Sequence, residues 1–72
     1  MNAETGVLIQ LDGAPHLLAP GMSLAALLDQ LGHAPASVGT AVNGSFVARA
    51  LRQDRVLQAG DEVLLFQPIV GG

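Results

Sequence analysis

Apolar residues in this chain fall into short clusters punctuated by Gly, Pro, Asn and Asp, the pattern of a small domain with several strands and one helix. Val7-Leu8-Ile9-Gln10-Leu11 predicts a first strand, and Asp12-Gly13 supplies the left-handed turn capacity of a tight hairpin. His16-Leu17-Leu18 is the returning strand, stopped by Ala19-Pro20-Gly21. Leu24, Leu27, Leu28 and Leu31 then recur at helical spacing and form one apolar stripe. Ser23 precedes the stripe as an N-cap and Gly32 follows it as a C-cap. Past Pro35, residues 39–42 and 45–48 flank Asn43-Gly44, a strong hairpin signal. Residues 49–59 read as irregular, with room for a short turn of helix, and Val56-Leu57 anchors them to the core. Gly60-Asp61 turns the chain into a final strand over residues 62–67. Pro68 has no N–H for a ladder, so pairing is expected to weaken there and residues 68–72 to form a tail.

The order is strand, strand, helix, strand, strand, strand. One helix with one apolar stripe covers one face of a small sheet. A right-handed crossover through that helix would make the first and last strands adjacent and central. The expected fold is therefore α+β, a β-grasp with a small mixed sheet, the main helix on one face, and a single domain over residues 1–72.

The last strand breaks the alternation expected of a strand covered on one side. Val63 and Leu65 point one way, Leu64 and Phe66 the other, and all four are apolar. With no second helix to cover the far face, Leu64 and Phe66 (or the opposite pair) are expected to contribute an apolar patch for a partner protein. Coverage by the long loops and self-association are the alternative uses of that surface.

Composition narrows the chemistry. The 72 residues include no cysteine, which excludes disulfides, thiolate metal sites and a thiol nucleophile. There is no lysine side chain to accept an acyl group. A formal charge of −3, with only three arginines, argues against binding to nucleic acid. Arg49, Arg52 and Arg55 read as a solvated loop in preference to a contact for an acidic partner. No apolar run approaches the roughly 20 residues of a membrane span, and no signal peptide is visible, so a cytoplasmic protein is the default expectation. His16 and His33 share no acidic or thiol neighbour at a metal-ligand spacing and read as surface residues. Ser23 is a cap and Asp61 a turn residue. No catalytic group and no metal site is expected.

The remaining candidate is the end of the chain, Gln67-Pro68-Ile69-Val70-Gly71-Gly72. Glycine lacks a Cβ, so its backbone enters narrow slots, and no side chain shields the Gly72 carbonyl carbon. The Gly72 carboxylate is a candidate reactive group for delivery into another protein's active site. An idle, frayed terminus is the plain alternative.

Val42-Asn43-Gly44-Ser45-Phe46-Val47-Ala48-Arg49, then Gly60-Asp61-Glu62-Val63-Leu64-Leu65-Phe66, then Gly71-Gly72 resemble the thiamine-biosynthesis sulfur carriers of the ThiS family, over nearly the whole chain. The resemblance implies a ubiquitin-like β-grasp and a carrier rather than an enzyme. It implies that an ATP-dependent, ubiquitin-activating-type adenylyltransferase activates Gly72, with Val70 and Gly71 giving access to the partner's active site. A persulfide from a cysteine desulfurase pathway, or another sulfur source, would convert the adenylate to a thiocarboxylate, and thiazole synthase would take the sulfur. ATP is used by the partner, and the carrier itself binds no cofactor. Two departures stand out. Ala48 occupies a position where the family often has proline. Pro68 is similar to a proline of the molybdopterin-synthase small subunits, which also end in Gly-Gly. A sulfur carrier of that second type and a ubiquitin-like protein modifier are the alternatives.

Overall fold

The computed structural model describes residues 6–67. Five strands form one sheet: β1 (Val7–Leu11), β2 (Ala14–Leu18), β3 (Gly39–Val42), β4 (Ser45–Val47) and β5 (Glu62–Phe66). Helix α1 (Leu24–Leu31) lies between β2 and β3, and 3-10 turns occupy Pro35–Ser37 and Arg49–Asp54. The sheet order is β2-β1-β5-β3-β4. β1 and β5 run parallel side by side, and every other pairing is antiparallel. This is the expected β-grasp arrangement, with the first and last strands adjacent and β5 at the centre.

Local chemistry explains the elements. Ser23 accepts a hydrogen bond from the Ala26 N–H at 3.1 Å, and Gly32 ends the helix with φ 83°, where a Cβ would be strained. Both hairpins turn on a residue pair with positive φ, Asp12-Gly13 and Asn43-Gly44. Two such residues in succession give a turn whose twist matches that of the flanking strands. β2 starts earlier than its apolar residues suggest, at Ala14, and takes in Pro15. It is an edge strand, where proline's missing N–H is tolerated. β4 ends at Val47 and β5 at Phe66, one residue short of expectation in each case.

The helix stripe packs on the sheet as its spacing predicts. Leu24 and Leu27 join Ile9, Leu18, Val42, Leu57 and Val63 in one buried cluster. Leu57 is the true anchor of the irregular segment. Val56 stays 41% exposed, outside the buried cluster, and pairs its backbone with Ser23, so the expectation that both residues reach the core is corrected.

A polar hub joins the far corners. Asp61 is more than a turn residue: it is buried, and its carboxylate accepts hydrogen bonds from the Asn43 side-chain amide at 3.0 Å and the Gln58 N–H at 2.9 Å. Arg55 approaches it at 3.9 Å. The Asn43 side-chain carbonyl accepts from the Glu62 N–H at 2.9 Å, so one turn residue also fastens β5 to the β3–β4 hairpin. At the other turn Asp12 accepts from the Leu65 N–H at 3.0 Å and prolongs the β1 edge by one step. Among the described residues no buried side-chain polar atom lacks a partner.

Burial pushes the Asp61 carboxyl up. The Gln58 N–H, the Asn43 amide and the Arg55 charge together outweigh it, so Asp61 titrates below the usual carboxylate range. A folded-state pKa below the unfolded value gives stability that is present above about pH 3.9 and is lost as pH falls through the folded pKa. Asp61→Asn is expected to lower stability at neutral pH by about 1.5–3 kcal/mol, the worth of hydrogen bonds to a charged group. In denaturant titrations across pH, the gap between variant and parent should shrink once pH drops below about 3.9.

Candidate functional site

Helix α1 covers one face of the sheet, and the other face carries a second set of apolar side chains. Val63 is fully buried and Leu65 packs against the core, whereas Leu64 and Phe66 point away and remain 47% and 43% exposed. Strand register shows what surrounds them. Ala41 pairs with Leu64 on one side and Phe46 on the other, and Gly39 pairs with Phe66. Phe46, 68% exposed, tilts against Phe66 with ring centroids 6.4 Å apart. The result is an aromatic and aliphatic surface at the end of the sheet where β5 leaves it.

A second patch, Leu8 beside Leu17, lies on the same face. The pair Gln10 and Glu62 sits between the two. Leu8 lies level with Gly60, whose N–H it accepts at 2.9 Å. Leu64 is thus four residues farther along, about 13 Å at roughly 3.3 Å per residue. The open face is two separate apolar patches, and only the one formed by Phe46, Leu64 and Phe66 adjoins the exit of the chain.

Gly39 makes the aromatic patch possible by having no side chain. A Cβ there would run into the Phe66 ring, so the ring takes this position over β3 only because residue 39 is glycine. Beside it a groove of about 440 Å³ opens between the Pro35–Ser37 turn, the two phenylalanines and the Arg49–Asp54 turn. Pro35, Val38, Phe46 and Phe66 give it apolar walls, Gln67 lies at its rim, and Arg49 and Arg52 supply its charge.

The three arginines do not form the solvated loop that their spacing suggests. Arg52 is buried and acts as a clamp. Its Nε donates to Thr40 Oγ1 at 3.1 Å, Nη1 to the Pro35 carbonyl at 2.8 Å, and Nη2 to the Val38 carbonyl at 2.7 Å. Thr40 in turn donates to the Val47 carbonyl at 2.9 Å. Burial, and after it the neighbouring charge of Arg49, draws Arg52 below the ordinary arginine value. Arg55 faces Asp61, and Arg49 is exposed without an ion-pair partner among the described residues.

Leu64 and Phe66 are therefore brought together on an open face. Val70, Gly71 and Gly72 lie outside the described residues, as does the expected departure of the chain at Pro68. His33 is exposed and His16 half-buried on β2. Among the described residues no three His, Cys, Asp or Glu side chains gather to hold a metal ion, and no helix is long and apolar enough to cross a membrane. Sequence reasoning missed Phe46, although pairing the two predicted hairpin strands would have put it beside the central strand's outer face. It also missed Gly39 and Arg52, whose roles depend on groups far away in the chain.

Comparison with known proteins agrees with the fold. Residues 5–72 match the family model of the ThiS family. The sulfur carrier protein ThiS of Escherichia coli (strain K12) is 39% identical over 54 residues, covering 75% of this chain and 82% of that protein. The crystal structure of the thiamine biosynthesis protein ThiS from Geobacter metallireducens superposes with TM-score 0.79 at 25% identity, covering 92% of this chain and all of the other. A solution structure of a thiamine biosynthesis protein from the same organism gives TM-score 0.74 at 23% identity, covering 92% and 88%, a likeness of fold.

Two substitutions test the geometry of the site. Gly39→Ala should displace the Phe66 ring and cost about 1–3 kcal/mol in chemical unfolding, the usual cost of overpacking. Arg52→Lys keeps the charge but loses the forked donors, leaving the Pro35 and Val38 carbonyls competing for one ammonium. It should lower stability by about 2–3 kcal/mol despite being formally conservative.

Proposed function

The chain belongs to the ThiS family, and from that membership we propose that it is a sulfur carrier serving thiamine biosynthesis, with its C-terminal Gly72 as the carrying residue. The observation that carries the reading is the family match across residues 5–72, which takes in the Gly71-Gly72 end as well as the folded domain. The protein is a carrier on which partner enzymes act.

A carboxylate is a poor electrophile because its negative charge is shared over both oxygens and neither is a good leaving group. An adenylating partner of the ubiquitin-activating type would solve this with ATP. A Gly72 carboxylate oxygen attacks the α-phosphorus, pyrophosphate departs, and the acyl-adenylate carries AMP as leaving group. The terminal sulfur of a persulfide then attacks the carbonyl carbon and the C–O bond to AMP breaks, leaving an acyl disulfide. A thiol of the donor system attacks the donor's sulfur, that S–S bond breaks as a new disulfide forms on the donor, and the thiocarboxylate leaves. Thiazole synthase is the receiver of that sulfur. Val70 and Gly71 form the narrow approach that lets the terminus enter a partner's active site.

The folded domain would contribute position. Leu64, Phe66 and Phe46 are the proposed docking face, because they are apolar, exposed and adjacent to the exit of β5. Five residues beyond Gln67 span at most about 17 Å at roughly 3.3 Å each, enough to pass from a docked surface into a buried site.

Incubation with the activating enzyme, ATP and a sulfur donor should add a mass equal to exchanging one oxygen for sulfur, located to the C-terminal peptide by mass spectrometry. Deleting Gly72 should abolish the gain. Isopeptide adducts on lysines of other proteins, with no such gain, would instead make the chain a modifier. Phe66→Glu should weaken binding to the activating enzyme by about tenfold or more, near 1.4 kcal/mol, while thermal unfolding stays cooperative.

A further inference from the structure

The groove beside Phe66 has a property that a simple docking face does not need. Its walls are apolar, yet an exposed guanidinium without an ion-pair partner among the described residues, that of Arg49, lines it. Arg52 lines it as well, but each of its three side-chain nitrogens already donates, to Thr40, Pro35 and Val38. The two arginines are close enough for Arg49 to depress Arg52, so an anion beside Arg49 would relieve a repulsion inside the fold. A suitable occupant is therefore apolar along most of its length and negative at one end. At about 440 Å³ the space falls in the range of small-ligand sites, roughly 300–1,000 Å³, which suits a few side chains and not a whole domain.

The chain carries such a segment directly at the rim. Gln67 lines the groove, and after it come Pro68, Ile69, Val70, Gly71 and Gly72. Proline at the first step favours a turn, Ile69 and Val70 are apolar, and the glycines permit tight backbone paths. A reach of at most about 17 Å is ample for a groove that starts at Gln67. Tethering also sets a local concentration on the order of millimolar, so a weak fit is enough to populate the seat.

We infer that this groove is the resting seat of the chain's own residues 68–72, with Ile69 and Val70 on the walls formed by Val38, Phe46 and Phe66, and the Gly72 carboxylate against Arg49. The inference rests on the reading that Gly72 is the carboxyl-bearing end. It adds a regulatory consequence: Phe46 and Phe66 belong both to the seat and to the proposed docking face, so a partner that docks there displaces the terminus and frees it for activation. A thiocarboxylate keeps the negative charge and is held in the same way between partners.

The test uses the unmodified full chain, uniformly labelled for NMR, with no partner enzyme present. Intramolecular nuclear Overhauser contacts from the Ile69 and Val70 methyls to the Phe46 and Phe66 rings are expected. Arg49→Ala should abolish them and return the Gly72 amide to its random-coil shift while the strand and helix shifts stay in place. Absence of these contacts in the parent chain, or contacts unchanged in R49A, would overturn the seat. So would contacts seen only between labelled and unlabelled copies, which would assign the groove to a second molecule's terminus. Failure here leaves the Gly72 mass gain untouched, and loss of that mass gain with the contacts present would overturn the sulfur reading alone.

Discussion

A single eight-residue helix cannot cover both faces of a five-stranded sheet. Everything distinctive about this domain follows from that constraint. The helix stripe of Leu24 and Leu27 takes one side of Ile9 and Val63, and the domain is too small to build a second layer. A central strand that is apolar on both sides then presents Leu64 and Phe66 to whatever lies outside. In a chain whose sole role was to fold, that face would favour polar residues. Its apolar character, beside the exit of the chain, fits a domain that works by meeting other proteins.

The small core is supported by polar fastenings in unexpected places. Asp61 ties the β3–β4 turn to the loop before β5, and Arg52 ties the Pro35–Ser37 turn and the start of β3 to the Arg49–Asp54 turn. Both are buried and both have their hydrogen-bonding groups engaged, the condition under which buried polar groups specify structure rather than weaken it. Asp61 thus fastens the start of β5, and Arg52 fastens the start of β3, which pairs with the end of β5. The proposed docking face of Phe46, Leu64 and Phe66 is built on these fastened strands.

Much of this was legible from residue pattern. The helix was readable because leucine spacing, an N-cap serine and a C-cap glycine all agree, and the hairpins because Asp12-Gly13 and Asn43-Gly44 demand positive φ. The adjacency of β1 and β5 followed from element order. The exposure of Leu64 and Phe66 followed from broken alternation. Arg52 escaped because its partners include two backbone carbonyls, which have no signature in sequence. Gly39 escaped because its need for empty space is created by Phe66, and a glycine with ordinary φ looks like any loop glycine. Val56 was misassigned because an apolar pair in an irregular segment does not declare which member turns inward. The Gly71-Gly72 end stands out in the sequence and through the family likeness, and because it lies outside the described residues its proposed role rests on those two alone.

The central claim is that the domain supplies a docking face while the chemistry occurs at Gly72. ATP–pyrophosphate exchange by the activating enzyme measures both at once. Exchange should saturate with the full chain, vanish when Gly72 is removed, and with Leu64→Glu show a raised half-saturation concentration but a similar maximal rate. Exchange that persists without Gly72, or that is indifferent to Leu64→Glu, would contradict the account.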